Sequence, residues 1–285
     1  MITVLKYVGL VVFSYLMGSI MFAKLLSKTQ KKDISDAGSG NPGSMNMLRN
    51  HGFLFGFLNL TLDALKGAIP ALCGFFLFGG FNGGIVARSA IYIAGVSAVI
   101  GHCFPIFFKF KGGKGVATTM GFCMVAHPFI VLGIFAGYVV LFVITRIGSL
   151  CSLICAIVYL VVDTVLLCLE HNYVGLGCLI AVVLLIVWAH RSNIKRLIEK
   201  RENVIDLKAV AQKDADRIHN LKEKSRAKAD AKHNKTTQVE NNEVLDSCEN
   251  SEVEDNTATD DVVEDNTNVQ YTTTEPLDNE SVNKE

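Results

Sequence analysis

Residues 116–145 read VATTMGFCMVAHPFIVLGIFAGYVVLFVIT, a run of thirty residues without one Asp, Glu, Lys or Arg. As a single helix it would extend ~45 Å at ~1.5 Å per residue, too long for a hydrocarbon layer ~30 Å thick. His127-Pro128 lies inside it, and the residue before a proline is steered away from helical backbone. The run therefore divides into two short helices joined at that dipeptide. Around it, residues 1–26, 53–78, 85–108, 147–169 and 173–189 are apolar stretches, each near or above the ~18–20 residues that a crossing helix needs. The reading is all-α: a polytopic transmembrane helical bundle of about seven spans, or five if part of 116–145 lies in the interface. The first stretch has Lys6 as its only early charge and no A-x-A-like cleavage site before Lys24, so it reads as a span and not as a signal peptide.

Basic residues close to span ends mark the cytoplasmic side. Lys24, Lys28, Lys31, Lys32 and Arg49 place the loop 27–50 there. Lys109, Lys111 and Lys114 do the same for the next basic loop, and Arg191, Lys195, Arg196, Lys200 and Arg201 for the tail. The turn at 79–84, with only Arg88 nearby, falls outside. Two loops on one side need an even number of crossings between them, which the division of 116–145 supplies, with Arg146 back inside.

The zero net charge hides a segregation: Lys/Arg against Asp/Glu is twelve to five in 1–190, fourteen to seven in 191–235 and one to fifteen in 236–285. The balance therefore says nothing about partners. It does suggest two regions, a membrane-embedded domain 1–202 and a charged, largely disordered cytoplasmic tail 203–285. Within the tail, 206–232 has the alternating signs of a solvated helix, and the acidic tract beyond has too few apolar residues to offset its ordering entropy. It serves as a solubilising tether or recruits an unidentified partner. Seven of the eight cysteines lie in apolar segments with no C-x-x-C pair or His-rich neighbour, so they read as small core residues and not as zinc ligands.

Chemistry concentrates in the inner-face loops. Gly38-Ser39-Gly40-Asn41-Pro42-Gly43 precedes Asn46 and Arg49; small residues let the backbone turn its N–H groups onto an anion, and Arg49 adds a planar fork suited to phosphate. Lys111-Gly112-Gly113-Lys114-Gly115 then leads into a helix start, offering backbone donors, a dipole end and an ammonium. It is not a nucleotide-binding loop, because Phe108 and Gly115 stand where that signature needs Gly and Ser/Thr. The last span continues as helix through this segment, so His190 and Asn193, three residues apart, share one helix face. Asp63 and Lys66 sit deep in an apolar helix, where an ionisable pair is costly unless paired or facing a cavity.

These segments, Ser39-Gly40-Asn41…Asn46…Arg49, Asp63-x-x-Lys66-Gly67, Gly101-His102-x-Phe104-Pro105…Lys111-Gly112-Gly113-Lys114-Gly115, Arg146-x-x-Ser149-Leu150 and His190-Arg191-x-Asn193…Glu202, follow one another in order across residues 1–202. As a set they resemble the bacterial acyl-phosphate:glycerol-3-phosphate acyltransferase family. The resemblance implies a seven-span fold in the bacterial plasma membrane and acyl transfer from acyl phosphate to glycerol 3-phosphate, the first committed step of phospholipid synthesis. It carries no metal or cofactor, and its partners are the two substrates and the bilayer, with no nucleic acid. On it, Ser39, Lys114, His190 and Asn193 are expected to act in catalysis, while Arg49, Asn46, Gly112, Gly113, Gly115, Ser149, Lys66 and Asp63 bind substrate. Ser44-Met45 stands where the family has Ala-Thr, and Lys200 where it has Gly. A transporter for an anionic metabolite is the rival reading of the same intramembrane charges, and a scaffold acting through its acidic tail is another.

Overall fold

Lipid tails are as apolar as the helices they surround, so helices in a membrane associate through close packing more than through a hydrophobic gain. Glycine is the means here. The computed structural model describes residues 1–30, 34 and 38–254. It runs α1 (Ile2–Gly18), α2 (Phe22–Thr29), α3 (Ser44–His51), α4 (Phe53–Leu77), α5 (Gly84–Cys103), α6 (Val116–Ala126), α7 (Pro128–Thr145), α8 (Gly148–Leu169), α9 (Tyr173–Ala189), α10 (Arg191–Ile198) and α11 (Leu207–Glu254). A methyl group at Gly67 of α4 would strike the Thr118 carbonyl of α6, and one at Gly121 of α6 would strike the Ala64 carbonyl of α4. The same reciprocity joins α1 to α5, through Gly18 against Ala98 and Gly101 against Tyr15. These contacts lock α1, α4, α5 and α6 backbone to backbone, and α7, α8 and α9 pack around them.

The expected division of 116–145 falls at His127-Pro128, with Pro128 opening α7. The two halves are unequal, however. α7 has 18 residues and is long enough to cross, whereas α6 has 11, or ~16 Å at ~1.5 Å per residue. By length and hydropathy five segments qualify as spans, and six if α9 and α10, bent by 56°, count as one; a seventh crossing would rest on α6 alone. His127 is tied at its depth by Asp163 of α8, 3.1 Å from its Nε2, and Asp163 accepts the Tyr92 hydroxyl of α5 at 2.9 Å.

The surface is what a bilayer needs: Leu5, Phe57, Leu72, Phe129, Val140, Val161 and Leu184 are all exposed. Cys103, Cys123 and Cys151 are buried as expected, but Cys73 and Cys168 stand exposed on these apolar faces and not in the core. Met1–Leu221 forms one compact unit, and a second begins at Lys222. The helix expected over 206–232 is α11, whose backbone continues to Glu254, past the point where order was expected to end; 207–254 holds neither Gly nor Pro, the two strongest helix breakers. Lys31 and Lys32, part of the orientation argument, and the acidic residues 255–285 lie outside the described residues.

Candidate active site

Ser19, Ile20 and Met21 break the chain between α1 and α2, which leaves the Ile20 carbonyl without a helical partner. Lys66 fills that need: its Nζ donates to the Ile20 carbonyl at 2.7 Å and pairs with Asp63 Oδ1 at 2.9 Å. Asp63 also accepts Asn59 Nδ2 at 2.8 Å, and Asn59 donates in turn to Ser44 Oγ at 3.1 Å. One ion pair therefore fastens the α1–α2 break to α4 and, through Asn59, to the start of α3.

Above it opens a cavity of ≈ 1010 Å³. Its polar end is built from the three loops and its apolar remainder from α6, α7 and α8. Of the expected site residues, Ser39, Asn46, Arg49, Asp63, Lys114, Gly115, Ser149, His190 and Asn193 line it, and Lys66, Gly112 and Gly113 do not. Lys66 belongs to the break just described. Gly112 and Gly113 lie against His102, where any side chain would collide with its carbonyl or its ring. They shape the loop that presents Lys114.

Arg49 reaches the site from the last turn of α3. Asn46, on the same helix, serves as a brace: its Oδ1 accepts the Ser39 N–H at 3.2 Å and its Nδ2 donates to the Ile34 carbonyl at 3.2 Å. That brace fixes a loop whose Gly38 and Gly40 have φ of 61° and 67°, the left-handed region that glycine enters without strain. Lys114 enters one residue before Gly115, which caps α6 with φ of 82°.

The third loop is not the continuous helix expected. The chain bends by 56° between α9 and α10, and His190 stands at the bend, as the cap of both helices. Its Nδ1 lies 2.8 Å from the Ile186 carbonyl, an acceptor only, so Nδ1 carries the proton and Nε2 is the nitrogen left with a lone pair. Asn193 is 4% exposed and links two charges. Its Oδ1 accepts from Lys114 Nζ, and its Nδ2 donates to Glu202 Oε1 at 2.9 Å, while Arg196 Nε holds Glu202 Oε2 at 2.9 Å. Glu202, which ends the last motif, is a site residue that the expected set lacks.

Electrostatically this end is a cation cluster with one carboxylate. Burial lowers Lys114 to about 8, the charges of Arg196 and Arg49 push the same way, and Glu202 opposes them. Arg49 is also lowered, first by burial and then by Arg196, again against Glu202. An anion placed here would relieve that repulsion. Ser149 Oγ and Thr119 Oγ1, both on the cavity wall, are buried without a hydrogen-bond partner; buried hydroxyls are nearly always satisfied, so these two are free for a ligand.

The model of the family described as glycerol-3-phosphate acyltransferase matches residues 8–200. Among curated relatives, the glycerol-3-phosphate acyltransferase of Aquifex aeolicus is 36% identical over 201 residues, 70% of this chain and 99% of that protein. That of Pelagibacter ubique is 40% identical over 199 residues, 70% of this chain and 97% of its own. Two crystal structures of PlsY, an integral membrane glycerol 3-phosphate acyltransferase, superpose on the bundle. The glycerol 3-phosphate form gives a TM-score of 0.65 and the lysophosphatidic acid form 0.62, each at 36% identity and covering 72% of this chain and 98% of that one. With the bundle, the cavity and the matched length all in agreement, this chain is an integral membrane enzyme and belongs to the glycerol-3-phosphate acyltransferase family.

Proposed function

We propose that the enzyme transfers an acyl group from an acyl phosphate to the sn-1 hydroxyl of glycerol 3-phosphate, giving 1-acyl-glycerol 3-phosphate and inorganic phosphate. The observation that carries this reading is the make-up of the cavity, in which Arg49 and Lys114, with the charge of Arg196 close behind, stand at the end of an apolar space along α6, α7 and α8. A substrate that is an anion at one end and a hydrocarbon at the other fits it.

Arg49, Lys114, His190 and Asn193 hold the phosphate and hydroxyls of glycerol 3-phosphate, and Ser39, the loop ending at Gly115 and Ser149 hold the donor phosphate. Lys66 and Asp63 act one step back, by fixing the α1–α2 break. An acyl phosphate is a mixed anhydride with a good leaving group, so aligning the two reactants and neutralising phosphate charge supplies most of the catalysis, and no covalent nucleophile is needed. The glycerol oxygen forms the ester bond to the acyl carbon, and the bond from that carbon to the phosphate oxygen breaks. The hydroxyl proton passes to His190 Nε2 or to the departing phosphate. The basic loops and the tail face the cytoplasm, the side that Lys and Arg near span ends favour, with α6 supplying the crossing that puts both on one side, in the plasma membrane of a bacterium.

Purified protein is to be given radiolabelled glycerol 3-phosphate with an acyl phosphate, an acyl-coenzyme A or an acylated carrier protein. Labelled lysophosphatidate is expected from the acyl phosphate alone; equal product from either thioester would overturn the choice of donor.

A further inference from the structure

The chain beyond Glu202 lies outside the matched family region, which ends at residue 200. Even so it forms part of the cavity wall. Ile205, Leu207, Val210, Ala211 and Ile218 all line the cavity, and from 207 onward the spacing puts these residues on one face of the first turns of α11. Ile205 and Val210 are 1% and 5% exposed and pack with Leu48 of α3, with Phe142 of α7 against the same cluster.

Polar contacts hold this segment at one corner of the site. The Ile205 N–H donates to the Arg146 carbonyl at 2.9 Å. Asp214 Oδ2 accepts the Phe53 N–H at 2.6 Å, one of the first-turn donors of α4 that has no partner inside its own helix. Lys213 Nζ donates to the Arg49 carbonyl at 2.6 Å. Between these two contacts lies Gly52, with φ of 89°, where a side chain would have to displace the Asp214 carboxylate. The α3–α4 corner, which carries Arg49, is thus gripped by residues that the family match does not include.

We propose that residues 203–221 are a working part of the acyltransferase site: the face bearing Val210 is a wall for the acyl chain of the donor, and Asp214 is a positioning residue for the corner that presents Arg49. This rests on the reading of the cavity as the acyl phosphate and glycerol 3-phosphate site. It differs from the sequence-based expectation, in which everything past residue 202 is a tail without a part in the reaction. The Aquifex aeolicus relative is matched over 99% of its length by 201 residues, so a shortened chain keeps about the length of that family member.

The test compares the full-length enzyme with a chain ending at Asn203 and with full-length Val210→Asp, Asp214→Ala and Asp214→Asn, measuring KM and kcat for a long-chain donor, a short-chain donor and glycerol 3-phosphate. The shortened chain and Val210→Asp are expected to raise KM for the long-chain donor about tenfold, the effect of returning one or two methylenes to water, with KM for the short-chain donor nearly unchanged. Asp214→Ala is expected to raise KM for glycerol 3-phosphate several-fold, and Asp214→Asn, which keeps an acceptor oxygen for Phe53, to restore it. Unchanged KM values in the shortened chain, or equal penalties on long and short donors, would overturn the proposal while leaving the reaction standing. No product from the full-length protein would overturn the reading of the site and this inference with it.

Discussion

Lys114→Ala separates chemistry from folding in a single substitution. The Lys114 ammonium is the central donor of the polar end: it bonds to Asn193, feels Arg49 and Arg196, and is opposed by Glu202. Removing one preorganised donor aimed at developing charge costs ~2.7–4 kcal/mol, a loss of ~10²–10³ in kcat. The folding side of the change is small. One hydrogen bond disappears, worth about 1 kcal/mol, while the attraction to Glu202 that is lost and the repulsion from Arg49 and Arg196 that is relieved act in opposite directions. In a domain of this size about 1 kcal/mol moves the thermal midpoint by ~2–4 °C. The assay is the initial rate of labelled lysophosphatidate formation by detergent-purified protein, run beside a thermal unfolding curve of the same preparation. Turnover within about tenfold of the parent would refute the assignment of Lys114 to transition-state charge. So would a loss of activity that follows a collapse of the unfolding curve, because Lys114 would then be part of the scaffold.

Two further outcomes follow from the same charges. Below about 8 Lys114 carries its proton and above it the ammonium is lost, so the rate is expected to fall as pH rises through that value, and Lys114→Arg, which stays charged, should move the falling limb higher; an unmoved limb would assign it to another group. Lys66→Met leaves Asp63 buried without its cation, a loss of ~3–5 kcal/mol, and the double change Lys66→Met with Asp63→Asn should recover much of it; identical unfolding curves for parent and single variant would show that the pair does not hold the α1–α2 break.

The loops that form the polar end were legible because each carries a residue type that an apolar chain has no structural use for: Arg49, Lys114, and Asn193 beside His190. What the sequence left open was how close neighbours divide their work. Asp63 and Lys66 sit three apart and do pair, yet within the pair Asp63 lines the cavity while Lys66 also reaches the Ile20 carbonyl. That need arises from a helix break some 46 positions away, which local spacing does not register. Asn46 had the chemistry of a ligand, but its amide is engaged by Ser39 and Ile34. The bend at His190 was hidden because nothing in residues 189–194 is a Pro or Gly. The wall formed by Leu207, Val210, Ala211 and Ile218 did leave a signal, a helical repeat of apolar positions, but the charged residues around it dominate the composition of the tail.

α7 is the thinnest part of the cavity wall. Val131 is its one buried residue; its other faces look either into the cavity, through Ile134, Tyr138 and Phe142, or outward, through Phe129, Leu132 and Val140. A single helix thickness is all that separates the apolar space from surrounding lipid on that side. Side chains that leave a protein neighbour here meet hydrocarbon and not water, so parting α7 from α8 forfeits packing but no hydrophobic burial. On the proposed reading, an acyl chain held in the cavity lies one helix away from the hydrocarbon it came from, and the wall between the two is itself as apolar as lipid.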